Sequence, residues 1–178
     1  MQHPRVLGLA GWSGSGKTTL LVRLIPLLVG RGHRVATVKH AHHEFDVDLP
    51  GKDSYEHRKA GASEVIIASS RRWVQMHELK EDAEPSLATL LLRLSPCDLV
   101  LVEGFKHKRH PKLEIYRPAL GKPALYREDP AVVAVATDAV LPAPHPPRVD
   151  LNDIPGVADC VLACALPLPG VLALLQQD

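Results

Sequence analysis

Aromatic residues are scarce in this 178-residue chain, at 4%, so it offers few platforms on which single-stranded bases could stack. An excess of either charge is also missing: 21 Lys and Arg face 20 Asp and Glu, for a formal net charge of +1. A surface that is a polycation throughout, drawn in bulk to nucleic acid or anionic lipid, is thereby excluded. No apolar run approaches the roughly 18 to 20 residues that span a bilayer. Cysteine is confined to Cys97, Cys160 and Cys164 with no C-x-x-C pair, which removes a disulfide framework, a zinc ribbon and a thioredoxin-type centre. Each cysteine adjoins an apolar stretch and reads as a small buried hydrophobe in a reducing compartment. The N-terminal MQHPRVLGLAG leads straight into a glycine-rich motif and lacks the length and cleavage site of a signal peptide. The expectation is a cytoplasmic protein with no nucleic-acid and no membrane partner.

What the chain does have is apolar content, 46% of its residues, enough to build a core at this length. Apolar runs and helical stretches alternate. Strands are predicted over 6–10, 34–39, 64–69, 73–79, 99–102, 113–116 and 132–137, the fourth as an edge or antiparallel strand. Helices are predicted over 17–29, 53–60 and 85–94, with Pro26 inside the first and Asp53 or Ser54 capping the second. Residues 141–147, rich in proline, read as a loop, and 159–165 and 171–176 as a closing strand or helix pair. The run 99–102 is continuously apolar, as in a strand covered on both faces. One α/β domain over 1–178 follows, three-layered, with a mostly parallel central sheet and some antiparallel edge strands.

The segment Gly11-Trp12-Ser13-Gly14-Ser15-Gly16-Lys17-Thr18 fits G-x-x-x-x-G-K-[ST] at every fixed position, with a strand before it and a helix after it. Glycines let the backbone curl so that successive amides face an anion, and the helix start aims its positive end at the same place. Lys17 reaches β/γ-phosphates and the Thr18 hydroxyl ligates Mg2+. The expected cradle comprises Gly11, Ser13, Gly14, Ser15, Gly16, Lys17, Thr18 and Thr19, in a P-loop NTPase-like fold. A metal on one hydroxyl also needs a carboxylate. Asp98 and Glu103 bracket the 99–102 strand, roughly 16 Å apart at about 3.3 Å per residue. Ligands lie beyond the carboxyl ends of such strands, so Glu103 is chosen for metal and catalytic work, and Asp98 begins the strand on the far side.

The loop after the second strand, Lys39 to Ser54, is expected on the same rim. There Lys39 and Lys52 face anions and Asp46 or Asp48 holds Mg2+ through water, with Asp48 also a candidate base if the protein is a phosphotransferase; a plain solvated loop is the other reading. His40, His42 and His43 leave a transition-metal site open as an alternative. Lys106, Lys108, Arg109 and Lys112 follow Glu103 and read either as a solvated face or as a clamp on a phosphorylated second substrate or acidic partner. Asp138, ending the 132–137 strand, sits where the base of a nucleotide is often read.

In order along the chain, GWSGSGKTTL, VKHAHHEFDVDLPGKDSYEHRKAGA and DLVLVEGFKHKRHPKLEIYR resemble the molybdopterin-guanine dinucleotide biosynthesis protein B (MobB) family, from about Val6 to Arg117 and more weakly on to AVATD and VDLNDIPGVAD. KHAHHEFDVDLPGKDS and VEGFK carry the likeness more specifically than the phosphate loop does. The resemblance implies a homodimeric protein that binds GTP with Mg2+, hydrolyses it weakly, and assists the guanylyltransferase that attaches GMP to molybdopterin. It places the triphosphate and Mg2+ on Gly14, Gly16, Lys17 and Thr18, the second acidic motif on Glu103, and the family loop on Asp46, Asp48, Gly51, Lys52 and Asp53. No N-K-x-D motif is present, so guanine over adenine rests on the resemblance. Arg109 and Arg117 are candidates for an arginine finger. A small-molecule kinase and a nickel- or zinc-handling GTPase are the alternatives.

Overall fold

Largely apolar strands build the centre of the structure, a computed structural model that describes residues 3–41 and 45–177. The chain forms two compact units, Met1–His40 with Leu87–Asp178, and Ala41–Ser86. In the first, β1 (Arg5–Ala10) lies between β5 (Leu99–Glu103) and β6 (Lys112–Tyr116). Outside β5 comes β2 (Val35–Lys39), and beyond β6 come β7 (Val132–Thr137) and β8 (Arg148–Asp150). All these pairings are parallel. Because β6 pairs with β1 only over residues 8–10, the short β9 (Leu166–Pro167) pairs antiparallel beside residues 5 and 6. Within this sheet, the antiparallel pairing expected at an edge is therefore found against the central strand.

Alternation along each strand supplies two cores. Leu7, Leu9, Leu99 and Leu101 pack on one face with α1 (Lys17–Gly30) and α4 (Ile154–Cys164), while Val6, Val100 and Val102 pack on the other with α3 (Leu87–Leu92) and α5 (Leu168–Leu175). The result is the expected three-layer α/β fold. Leu24 and Leu28 of α1 are fully buried, each stabilising by about 1.5–3 kcal/mol. Pro26 does not end α1. It lies on the exposed face together with Val22, so the Val22 carbonyl that loses its partner is on the solvent side. Residues 154–164 and 168–175 are both helical; Asp153 caps the first by accepting the Gly156 amide at 3.1 Å.

Two local expectations are corrected. The three cysteines are half-buried, since α4 turns Cys160 and Cys164 toward the margin of its buried stripe; burial, reinforced by Cys164, pushes the Cys160 thiol up to about 12. The cap of α2 (Asp53–Lys59) is Lys52, with no side-chain cap bond, because the Ser54 hydroxyl is spent on Asp48 at 3.0 Å.

In the second unit, β3 (Glu64–Ala68) and β4 (Trp73–His77) form a separate antiparallel ribbon. Its register puts Val65, Ile67, Val74 and Met76 on one face and Ile66 and Trp73 on the other, where both are 62% exposed.

Candidate functional site

The phosphate loop leaves β1 at Ala10 and enters α1 at Lys17 through three glycines with positive φ: Gly11 at 147°, Gly14 at 80° and Gly16 at 97°. Any side chain at Gly11 would lie 2.6 Å from the Ile115 carbonyl and 2.7 Å from Ser15 Oγ, so the bend requires glycine twice over. Ser15 is buried, and its Oγ has no hydrogen-bond partner among the described residues. Ser13, Gly14, Thr18 and Thr19 are exposed. The amides of the first turn of α1 have no partners within the helix.

The Lys17 ammonium folds along the loop, donating to the carbonyls of Gly11 at 2.8 Å and Trp12 at 3.0 Å. Burial lowers its pKa; Glu103 opposes that shift and Lys106 adds to it. Opposite stands Glu103, whose Oε1 accepts the Thr18 hydroxyl at 3.1 Å. Register places Lys39 beside Glu103, and the Glu103 carbonyl accepts the His40 amide at 2.9 Å. The chain then turns at Gly104, φ 93°, where a Cβ would meet that of His40 at 2.7 Å. The Phe105 ring lies against that of His40, their centroids 4.8 Å apart and their planes tilted by 43°. A partnerless buried hydroxyl, a left-handed glycine cradle, a desolvated ammonium and a hydroxyl–carboxylate pair match the donor set of a polyphosphate with a hard divalent cation. On that chemistry the residues present fit the triphosphate of a nucleotide with Mg2+.

Asp98 lies at the opposite end of β5, as strand length requires. It accepts the Arg34 amide at 2.8 Å and its guanidinium at 3.1 Å, which holds its carboxyl at about 2.

The basic run after Glu103 is not one surface. Lys112 is buried in β6, its ammonium on Asp129 at 2.9 Å, and His110 is buried against Gly8. Lys112 is claimed by the interior with the rest of β6, and His110, just before that strand, by its place against β1. Lys106 instead reaches the phosphate loop, 5.3 Å from the centre of the Trp12 ring, with Lys122 at 5.9 Å. The Trp12 indole donates to the Pro123 carbonyl at 2.8 Å.

Asp138, expected to read the base, is ion-paired with Arg117, whose Nε also donates to the Ser15 carbonyl at 3.2 Å. The signal for Arg117 was in the sequence: it follows a strand ending on the rim that selected Glu103. Asp46 and Asp48 lie in the second unit. Both oxygens of Asp46 accept from Arg58 at 2.9 Å, Asp48 is 3.7 Å from the same guanidinium, and Glu78 takes its remaining arm at 2.9 Å. Arg58 keeps Asp46 below the usual carboxylate range, together with the Asp48 amide, which contributes most. Lys52, also in this unit, is exposed. His42 and His43 lie outside the described residues, among which no group of His, Cys, Asp and Glu side chains is clustered to hold a metal.

The family model for molybdopterin guanine dinucleotide synthesis protein B, MobB, matches residues 6–138. The chain belongs to the MobB family. It is 48% identical to the molybdopterin-guanine dinucleotide biosynthesis adapter protein of Escherichia coli (strain K12) over 88% of this chain and 91% of that one. With the adapter protein of the same name from Haemophilus influenzae it shares 43% identity, over 88% and 86%. Among solved structures, a molybdopterin-guanine biosynthesis protein B superposes with a TM-score of 0.71 at 28% identity, covering 89% of this chain and 97% of that one. A MobB homologue from Bacillus stearothermophilus gives 0.60 at 28% identity, over 89% and 98%. The MobB match spans the phosphate loop, Glu103 and the second unit, and ends at Asp138.

Proposed function

We propose that this MobB-family protein is a GTP-binding adapter of molybdopterin-guanine dinucleotide biosynthesis. It works in the cytoplasm beside the guanylyltransferase that joins GMP to molybdopterin, and it hydrolyses GTP weakly. The names of its relatives support the pathway, and the Thr18–Glu103 pair facing Lys17 across one loop carries the nucleotide reading.

Amides of the loop and of the first turn of α1 bind phosphate oxygens, and Lys17 moves from the loop carbonyls to the β/γ-phosphates. Burial has already removed part of the solvation of Lys17, so little is lost when it transfers to an anion. Thr18 and Glu103 hold Mg2+, which supplies charge neutralisation at the phosphates. Glu103 also orients the attacking water. Lys106 adds positive charge at the loop mouth. Asp46 and Asp48 bind Arg58 and keep the second unit folded; a metal or base role for them requires that network to open. Exposed Ile66 and Trp73 on the ribbon support a homodimer in which that face is covered.

Calorimetric titration of Lys17→Ala with GTP tests the reading. Loss of one charge-assisted phosphate contact lowers affinity by roughly 10- to 100-fold, with the thermal midpoint unchanged. Retained GTP affinity in that variant refutes it. Product analysis separates the alternatives: GDP with inorganic phosphate supports hydrolysis, whereas a phosphorylated small molecule assigns a kinase.

A further inference from the structure

Arg117 and Asp138 are each the first residue past a strand, and those strands are neighbours whose last register pair is Tyr116 with Thr137. The ion pair between them is therefore set by sheet register. The guanidinium then reaches the adjacent rim position, where Nε donates to the Ser15 carbonyl at 3.2 Å and lies 3.8 Å from where a Gly16 Cβ would stand. Ser15 sits between Gly14 and Gly16, both at positive φ, where glycine leaves the backbone little steric restraint; backbone bonds hold the Ser15 amide on Trp12 at 3.1 Å and the Gly16 carbonyl on Leu20 at 2.8 Å, and Arg117 holds the Ser15 carbonyl between them. In a planar trans peptide the carbonyl and the following amide point in opposite directions. Fixing the Ser15 carbonyl on Arg117 therefore turns the Gly16 amide away from Arg117.

We propose that Arg117 and Asp138 are a positioning pair for the phosphate loop: Arg117 pins the Ser15–Gly16 peptide, and Asp138 orients Arg117 instead of reading the nucleotide base. This rests on the nucleotide reading above, and it removes Arg117 from the candidates for a transition-state finger. The pair acts on the polyphosphate, so its effect is the same for every base.

The test titrates the wild-type chain, Arg117→Ala, Asp138→Asn and the double variant with GTP, GDP, XTP and inorganic tripolyphosphate, with thermal midpoints and GTP turnover measured alongside. Asp138→Asn is nearly isosteric and keeps the comparison valid if Arg117→Ala folds poorly. Each single variant is expected to lose about tenfold in affinity for GTP, GDP and tripolyphosphate alike. The GTP-to-XTP ratio stays constant, and the double variant is no weaker than Arg117→Ala. A switch of Asp138→Asn toward XTP with tripolyphosphate unaffected returns Asp138 to base reading and overturns the proposal. Arg117→Ala with wild-type affinity and lost turnover makes it a finger and also overturns it. If the wild-type chain binds none of these ligands, the nucleotide reading falls and the pair's role with it; binding that the variants retain overturns the positioning role alone.

Discussion

The hydroxyl of Thr18, in the first turn of α1, donates to Glu103 at the carboxyl end of β5 across 3.1 Å. Residues 85 positions apart meet because β1 and β5 are parallel neighbours in register, Leu9 opposite Glu103. A hydroxyl and a carboxylate in contact bring together two oxygen donors of the kind a hard cation takes. Thr18→Ala and Glu103→Gln should each weaken GTP binding about tenfold or more in Mg2+ and change it little in EDTA. Glu103→Gln should in addition slow turnover by about 100-fold, the low end for loss of a positioned base. Equal losses with and without Mg2+ would remove the metal role.

Gly8, inside β1, has no conformational reason to be glycine, since its φ is not positive. Its reason is His110: a Cβ there would stand 2.4 Å from Nε2 and 2.7 Å from Cδ2 of that fully buried ring. Gly8→Ala should destabilise by about 1–3 kcal/mol through overpacking, lowering the thermal midpoint by roughly 2–12 °C. Gly30→Ala, with nothing within 4 Å at the end of α1, is the control and should hold or raise the midpoint by differential scanning fluorimetry.

The same contrast shows how far local pattern reaches. The phosphate loop was legible because its glycines, lysine and threonine answer to one backbone shape. The choice of Glu103 over Asp98 needed only strand length and direction. What a charged residue pairs with was not legible, because that depends on strand order. Arg117 meets Asp138 through the adjacency of β6 and β7, and Lys112 is interior because β6 lies second from β5 with layers on both faces. The three elements of the second unit were legible but the separation of its ribbon from the main sheet was not, since the ribbon's strands have ordinary β-composition and only their pairing sets them apart. Asp46 and Asp48 likewise looked like free carboxylates until Arg58 folded back onto them.

Asp98 gives a pH signature remote from the site. Its hydrogen bonds and ion pair with Arg34 lower its carboxyl from 3.8 to about 2, so the native state holds the ionised form more tightly than the unfolded chain does. The stabilisation is complete above the unfolded value near pH 4 and disappears as pH falls through about 2. Thermal melts between these limits should show a steeper acid loss for the wild-type chain than for Asp98→Asn, with the two curves converging at the acid end. Parallel curves would show that the Arg34 pair contributes nothing across that window.

Lys112 separates the two roles offered by the basic run. Its ammonium is buried, donating to Asp129 at 2.9 Å and to the Lys108 carbonyl at 2.5 Å. Lys106 and Lys108 are exposed. Lys112→Met keeps most of the buried stem but leaves the Asp129 carboxylate and a carbonyl short of a donor. Because Asp129 retains access to water, with 29% of its side chain exposed, the cost falls below that of a fully buried broken pair, at about 2–3 kcal/mol. The thermal midpoint should drop by roughly 4–12 °C, while GTP affinity measured well below the transition stays within about twofold of wild type. Lys106→Ala should do the reverse, leaving the midpoint in place and weakening GTP binding by loss of positive charge beside Lys17, an effect that fades as salt rises. A Lys112→Met variant with an unchanged midpoint and lost nucleotide binding would put Lys112 back among the ligand-facing cations.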